Sequence, residues 1–271
     1  MNNSDINRQP RWEGDYHPWS RRHYLVATVG IAALSGCTGG SDDDDSEPEP
    51  SDGEDDDSSD DGDEEEELPD GVSQEQFDQG PVPEMYATAT SLGNEQRDPD
   101  DLFAKADVGF TEYDDAGDAS GFQPGHCCAN CADFIPDKNG DAFGACTEVE
   151  GYIDGADWCS VYESLPEPEV PAGLTEGELA TAEVPRAYRT AGSIGGEVRD
   201  PNDLFTQEQV SVAESVEAIA EGAAAPGQSC GNCAEFIPDK NGDTWGACAK
   251  VEGYLAAEDW CTVWEHVTEE L

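Results

Sequence analysis

Eight of the ten cysteines fall into two quartets of identical spacing. Cys128, Cys131, Cys146 and Cys159 follow C-x2-C-x14-C-x12-C, and Cys230, Cys233, Cys248 and Cys261 repeat it. Three chemistries use four cysteines. Two disulfides suit an exported domain, but thiols in C-x2-C pair with each other mainly in redox motifs, and no thioredoxin-like pattern surrounds these. A structural zinc usually takes its ligands as two close pairs, whereas here only the first two are close. An iron–sulfur cubane takes one thiolate per iron and tolerates scattered ligands, although the bacterial ferredoxin run C-x2-C-x2-C is absent. Cys127 has Ser229 as its counterpart and is expected to be a bystander thiol.

The segments that must position these thiols are a duplication. PEMYATATSLGNEQRDPDDLF from Pro83 matches PRAYRTAGSIGGEVRDPNDLF from Pro185, and CANCADFIPDKNGDAFGAC matches CGNCAEFIPDKNGDTWGAC. The offset is 102 residues throughout, without insertion. Two copies at this period indicate tandem domains rather than a solenoid. Units of this size gain little from an apolar core and often need a metal or disulfides. The expected fold is a pair of small irregular α+β domains with little regular secondary structure, each organised around a metal cluster. Short helices are expected over Asp100–Ala106 and Asn202–Glu208 after Asp-Pro start signals, and a helix over Gln209–Ala223 in the second copy only. Asp137-Lys138-Asn139-Gly140-Asp141 has acids and an amide at calcium-loop positions, but Ala142 stands where the loop needs Gly. It reads as an exposed turn. His126 and His266 have no counterparts between the copies.

The whole pattern resembles high-potential iron–sulfur proteins. The resemblance rests on Cys-Ala-Asn-Cys with Phe134, Gly-Ala-Cys at 144–146 and Trp-Cys-Ser-Val-Tyr at 158–162. It rests equally on Cys-Gly-Asn-Cys with Phe236, Gly-Ala-Cys at 246–248 and Trp-Cys-Thr-Val-Trp at 260–264. It covers residues 83–164 and 185–266. It implies one [4Fe-4S] cluster per domain, two in all, shuttling single electrons, with the eight cysteines as ligands. A dry pocket disfavours the most highly charged reduced cluster. Phe134, Phe143, Trp158 and Tyr162 are expected to wall that pocket in the first copy, and Phe236, Trp245, Trp260 and Trp264 in the second. One departure stands out. The family shields its cluster with a tyrosine after Ala-Leu-Gly, but here Ser91-Leu92-Gly93 and Ser193-Ile194-Gly195 lead into Asn94 and Gly196. Tyr86 and Tyr188 are the candidate substitutes.

The N-terminus reads as an address. Arg21-Arg22, an apolar run over Tyr24–Leu34 and Leu34-Ser35-Gly36-Cys37 resemble a twin-arginine export signal ending in a lipobox. The run is too short for a permanent span, which needs about 20 residues. The resemblance implies lipidation of Cys37 and anchoring at the outer face of the cell membrane. The expected organisation is a signal over 1–36, a disordered acidic tether over 37–81, a first domain over 82–165, a linker over 166–182 and a second domain over 183–271. Residues 41–70 hold 19 acids and no base, yet most of the 63 acids lie elsewhere, and the net charge is -51. Such self-repulsion is relieved in molar salt, where the screening length is about 3 Å, so a halophilic setting is expected. Nothing here would neutralise phosphates, so nucleic acid is not an expected partner. No nucleophile, general base or substrate pocket is evident, and an enzyme is not expected. The expected role is electron transfer among redox proteins: membrane complexes, small copper proteins or cytochromes. The rival is a binding module stapled by disulfides or zinc and displayed on a lipid-anchored stalk.

Overall fold

Two-residue strands suffice to bring each quartet together. The computed structural model describes residues 68–267; Arg21, Arg22, Cys37 and the acidic run before Leu68 lie outside the described residues. In the first copy, β1 (Thr111–Glu112) pairs antiparallel with β4 (Asp157–Trp158), and β2 (Phe134–Ile135) with β3 (Ala145–Cys146). In the second, β5 (Ala213–Glu214) pairs with β8 (Asp259–Trp260), and β6 (Phe236–Ile237) with β7 (Ala247–Cys248). Turns make up most of the rest. A 3-10 turn, Cys128–Asn130, carries the first ligand pair, and Cys230–Asn232 repeats it.

The strand period of two decides which side chains meet. Phe134 lies opposite Cys146 and Ile135 opposite Ala145. One face therefore carries Phe134 with Cys146, and the other carries Ile135 and Ala145 against the buried ring of Tyr86. Gly144 keeps this pairing tight. A Cβ there would stand 2.2 Å from the Ile135 carbonyl oxygen and 2.8 Å from the Phe134 ring, closer than any side chain tolerates.

Tyr86 is fully buried and forms a hub. Its hydroxyl lies 2.9 Å from Asn139 Oδ1 and 3.1 Å from the Phe143 carbonyl, and it accepts from the Lys138 N–H at 2.8 Å. Asp137 accepts from the N–H groups of Asn139, Gly140 and Ala142. The Asp-Lys-Asn-Gly-Asp segment is thus a turn closed by its own carboxylate. Tyr188 organises the second copy in the same way.

Several expected bounds change. The Asp100–Ala106 helix is not formed: the Phe103 N–H donates to Glu148 O and its carbonyl accepts from Glu150, and the only helical turn nearby is Lys105–Val108. Phe205 does the same with Lys250 and Glu252. In the second copy, the helix spans only Ser215–Ala220. Residues 68–81 are folded rather than tether. A helix, α1 (Gln74–Gln79), buries Phe77 against Phe143 and Tyr152, with ring centroids 5.0 and 5.8 Å apart. Its counterpart lies in the expected linker, where Glu176–Glu178 form a 3-10 turn and Leu179 is buried beside Trp245.

The two copies meet through their ligand turns. Ser229 Oγ donates to the Ala129 carbonyl at 2.9 Å, and Asn130 Nδ2 to Ser215 Oγ at 3.2 Å. Cys127, Ala129, Ala218, Ile219, Ala224 and Trp260 form one apolar cluster across the junction. Close approach needs missing side chains: a Cβ on Gly231 would meet Leu92 at 2.9 Å, and one on Gly125 would meet the Val216 carbonyl at 2.0 Å.

Candidate metal centre

Each quartet is gathered from three local devices. The 3-10 turn presents Cys128, and Cys131 closes it by donating its N–H to the Cys128 carbonyl at 2.9 Å. Strand β3 presents Cys146 on the Phe134 face. Cys159 follows β4, one residue beyond Trp158, so the two point to opposite sides. Asn130 fixes the ligand turn by accepting from the Cys127 N–H at 3.1 Å and donating to the Gly125 carbonyl at 2.9 Å. Asn232 does the same with Ser229 and Gly227. These amides sit inside each C-x-N-C motif, where the duplication flags them but the ligands draw the eye.

The four cysteines of the first copy line one small cavity, together with Phe110, Asp133, Phe134, Val149, Ile153 and Val161. Leu92 and Tyr162 pack against the same cluster. In the second copy Phe236, Val251 and Leu255 surround the cysteines, with Ile194, Val263 and Trp264 packed against them. Of the expected pocket aromatics, then, Phe134, Tyr162, Phe236 and Trp264 lie with the cysteines. The other four do not. Phe143 joins Phe77 and Tyr152, and Trp245 joins Leu179 and Tyr188. Trp158 packs edge-on to Phe122 at 5.5 Å, and Trp260 lies at the junction between copies. Trp158 and Trp260 sit on strands that end just before Cys159 and Cys261, and Phe143 and Trp245 lie before the strands that carry Cys146 and Cys248. Tyr86 and Tyr188 also pack away from the cysteines. Leu92 and Ile194 cover the place that the expected substitutes do not.

The geometry separates the three chemistries. Every cysteine among the described residues is a free thiol. The one group of three or more metal-ligating atoms lying within 4.8 Å of one another, among the described residues, is Glu95, Asp133 and Glu148, and it includes no cysteine. A zinc with bonds of about 2.3 Å would hold its sulfurs closer than that. No three sulfurs of a quartet lie that close among the described residues, a spacing that suits a multinuclear cluster better than one ion. Burial raises every one of these thiols, Cys146 and Cys248 to about 12, Cys159 and Cys261 to about 11. Thiolates in such a cavity need metal charge to compensate them. Backbone donors are in place to help. The N–H groups of Glu148 and Glu163 lie 3.3 and 3.5 Å from the sulfurs of Cys146 and Cys131, and that of Lys250 lies 3.4 Å from Cys248.

Residues 96–166 and 206–268 both match the family model described as High potential iron-sulfur protein. The chain therefore has two tandem segments that are similar to this family. Proteins of the family are iron–sulfur electron carriers rather than enzymes, and they bind a [4Fe-4S] cluster. Among curated proteins and solved structures, nothing matches the chain.

Sequence reasoning missed two buried cations beside the quartets. Arg97 is 6% exposed and donates from Nε to the Cys146 carbonyl at 2.9 Å. Arg199 donates from one terminal nitrogen to the carbonyls of Cys248 and Val251, the latter at 2.7 Å. Desolvation lowers both guanidinium groups, and the nearby cysteine opposes that shift. Their repetition in a chain with 12 basic residues was the available signal. Cys127 is fully buried, accepts from the Gly227 N–H at 3.4 Å and is raised to about 11 by burial, so it is an unreactive junction residue.

Proposed function

We propose that this protein is a one-electron carrier with two [4Fe-4S] clusters, one on Cys128, Cys131, Cys146 and Cys159 and one on Cys230, Cys233, Cys248 and Cys261. The observation that carries the reading is the pair of free-thiol quartets, each buried in an apolar surround and with a spacing that suits a multinuclear cluster better than one ion. When bound, each cluster supplies a site that gains and loses one electron. The chain supplies the rest. Phe134, Ile153 and Val161, with their counterparts in the second copy, exclude water, and the sulfur-directed N–H groups stabilise negative charge. The contact between the ligand turns brings the two sites together, so electrons pass between them as well as to partners. Export through the Arg21-Arg22 signal, a lipid on Cys37 and work at the outer face of the membrane complete the proposal. The partners would be membrane redox complexes, small copper proteins or cytochromes.

Purified protein tests this directly. It should contain about eight irons and eight sulfides per chain, and its oxidised form should give an electron paramagnetic resonance signal that vanishes on reduction. A folded, colourless chain without iron would refute it.

A further inference from the structure

Within two residues of a ligand, the two copies differ in formal charge at one position. Glu148 and Lys250 are equivalent residues, and each donates its backbone N–H to the sulfur of the cysteine two residues earlier. Their side chains therefore start from the same place relative to the two cysteine quartets. Lys250 Nζ pairs with Glu197 and lies 3.6 Å from Glu235 Oε1. The first copy keeps both acids, as Glu95 and Asp133, but adds the Glu148 carboxylate, and oxygens from the three lie within 4.8 Å of one another. The group carries one formal negative charge in the second copy and three in the first. An equal change of charge, Glu84 to Arg186, lies on the turn next to Tyr86, which packs away from the cysteines. Lys105, 4.6 Å from the Phe110 ring, adds one positive charge to the first copy where Gln207 is neutral. Asp154 faces Ala256, and Ala156 faces Glu258, which cancel. Arg97 and Arg199 are common to both.

We infer that this exchange makes the two redox sites unequal, with the second copy the higher in potential, so that an electron entering the first copy moves on to the second. The inference rests on the cluster-carrier reading. A positive side chain near a site stabilises its reduced, more negative state, and a cluster of carboxylates destabilises it. The transfer balances: one electron leaves the reduced site of the first copy and reduces the oxidised site of the second. Glu148 and Lys250 act as positioning charges and touch no reacting atom.

The test is a potentiometric titration of the full chain followed by electron paramagnetic resonance, after iron and sulfide analysis. The wild type should show two separate one-electron steps. Lys250→Gln should move the upper step down, and Glu148→Gln should move the lower step up, each leaving the other step in place. Both shifts should shrink between dilute and molar salt, since the Debye length falls from about 10 Å at 0.1 M to 3 Å; a purely structural role would not respond in that way. A chain without iron overturns both the carrier reading and this inference. A loaded chain overturns the inference alone if its two steps coincide, if Lys250→Gln moves the lower step, or if neither variant moves either step.

Discussion

Tyr86 shows how much one buried hydroxyl can hold. It joins the Phe143 carbonyl, Asn139 and the Lys138 N–H, and burial raises its pKa, making the phenol a weaker acid. Tyr86→Phe keeps the ring but leaves those groups unpaired, which costs about 1–3 kcal/mol. The thermal midpoint should fall, and the Lys138 amide should exchange faster by nuclear magnetic resonance. Asp133 makes the opposite case. Burial raises it from 3.8 to about 6, partly offset by Thr147, which donates to Oδ1 at 3.0 Å. The folded state then holds a proton that the unfolded chain has released, so this group's contribution to stability declines as pH climbs from 3.8 to about 6. Asp133→Asn should raise stability at pH 7 by about 1–2 kcal/mol after screening. Below pH 3.8, where both states are protonated, the gain should disappear; melting curves across that range would read both effects. At this scale the sequence was legible where chemistry fixes spacing. The eight cysteines stood out because duplication preserved them. Phe143 and Trp158 misled because proximity to a ligand along the chain does not say which way a ring turns. The repeat of Arg97 as Arg199 was visible, but only the fold shows that its guanidinium caps the Cys146 carbonyl.

Elements of two residues survive because side chains lock them. Gly144 is the tightest such place, with Phe134 and the Ile135 carbonyl pressed against its Cα. Gly144→Ala should part β2 from β3 and displace Cys146. Iron content should drop to about half of the wild-type value, with the second copy still loaded, and Gly117→Ala, where a Cβ meets nothing within 4 Å, should lose none. Irregular structure of this kind was foreseeable from the density of Gly, Asn, Asp and Pro around the ligands. The helix expected at Asp100–Ala106 was not, because its start signal is local and its competitor is not. Phe103 trades both backbone groups with Glu148 and Glu150, residues distant in sequence. Phe77 and Leu179 were hidden for a related reason. Each lies in a polar stretch whose composition reads as linker, and a single large side chain docked on Tyr152 or Trp245 is enough to fold it.

Across the molecule, the junction between copies is built from the cysteine turns themselves. The Ala129 carbonyl, one residue from Cys128, accepts from Ser229, one residue from Cys230. A single hydrogen bond thus links the backbones that carry ligands of both quartets. The fully oxidised protein should show spin–spin broadening of its electron paramagnetic resonance signal that the half-oxidised protein lacks. Ser229→Ala should leave the Ala129 carbonyl unpaired in the junction and lower stability by about 1–3 kcal/mol, measured as the thermal midpoint, with iron content unchanged. The duplication was plain in the sequence, but the junction was not, since nothing in a repeat says which of its faces meets its neighbour.

Gly231 carries a lesson about ancestry. It stands where the first copy has Ala129, and Leu92 fills the room a methyl group would take. The halves have drifted apart in a way that tracks their order. A gene made of two first halves in succession would bring Ala129 against Leu92, and the chain would have to loosen to admit it. What began as interchangeable modules is now a matched pair that selection can alter only together.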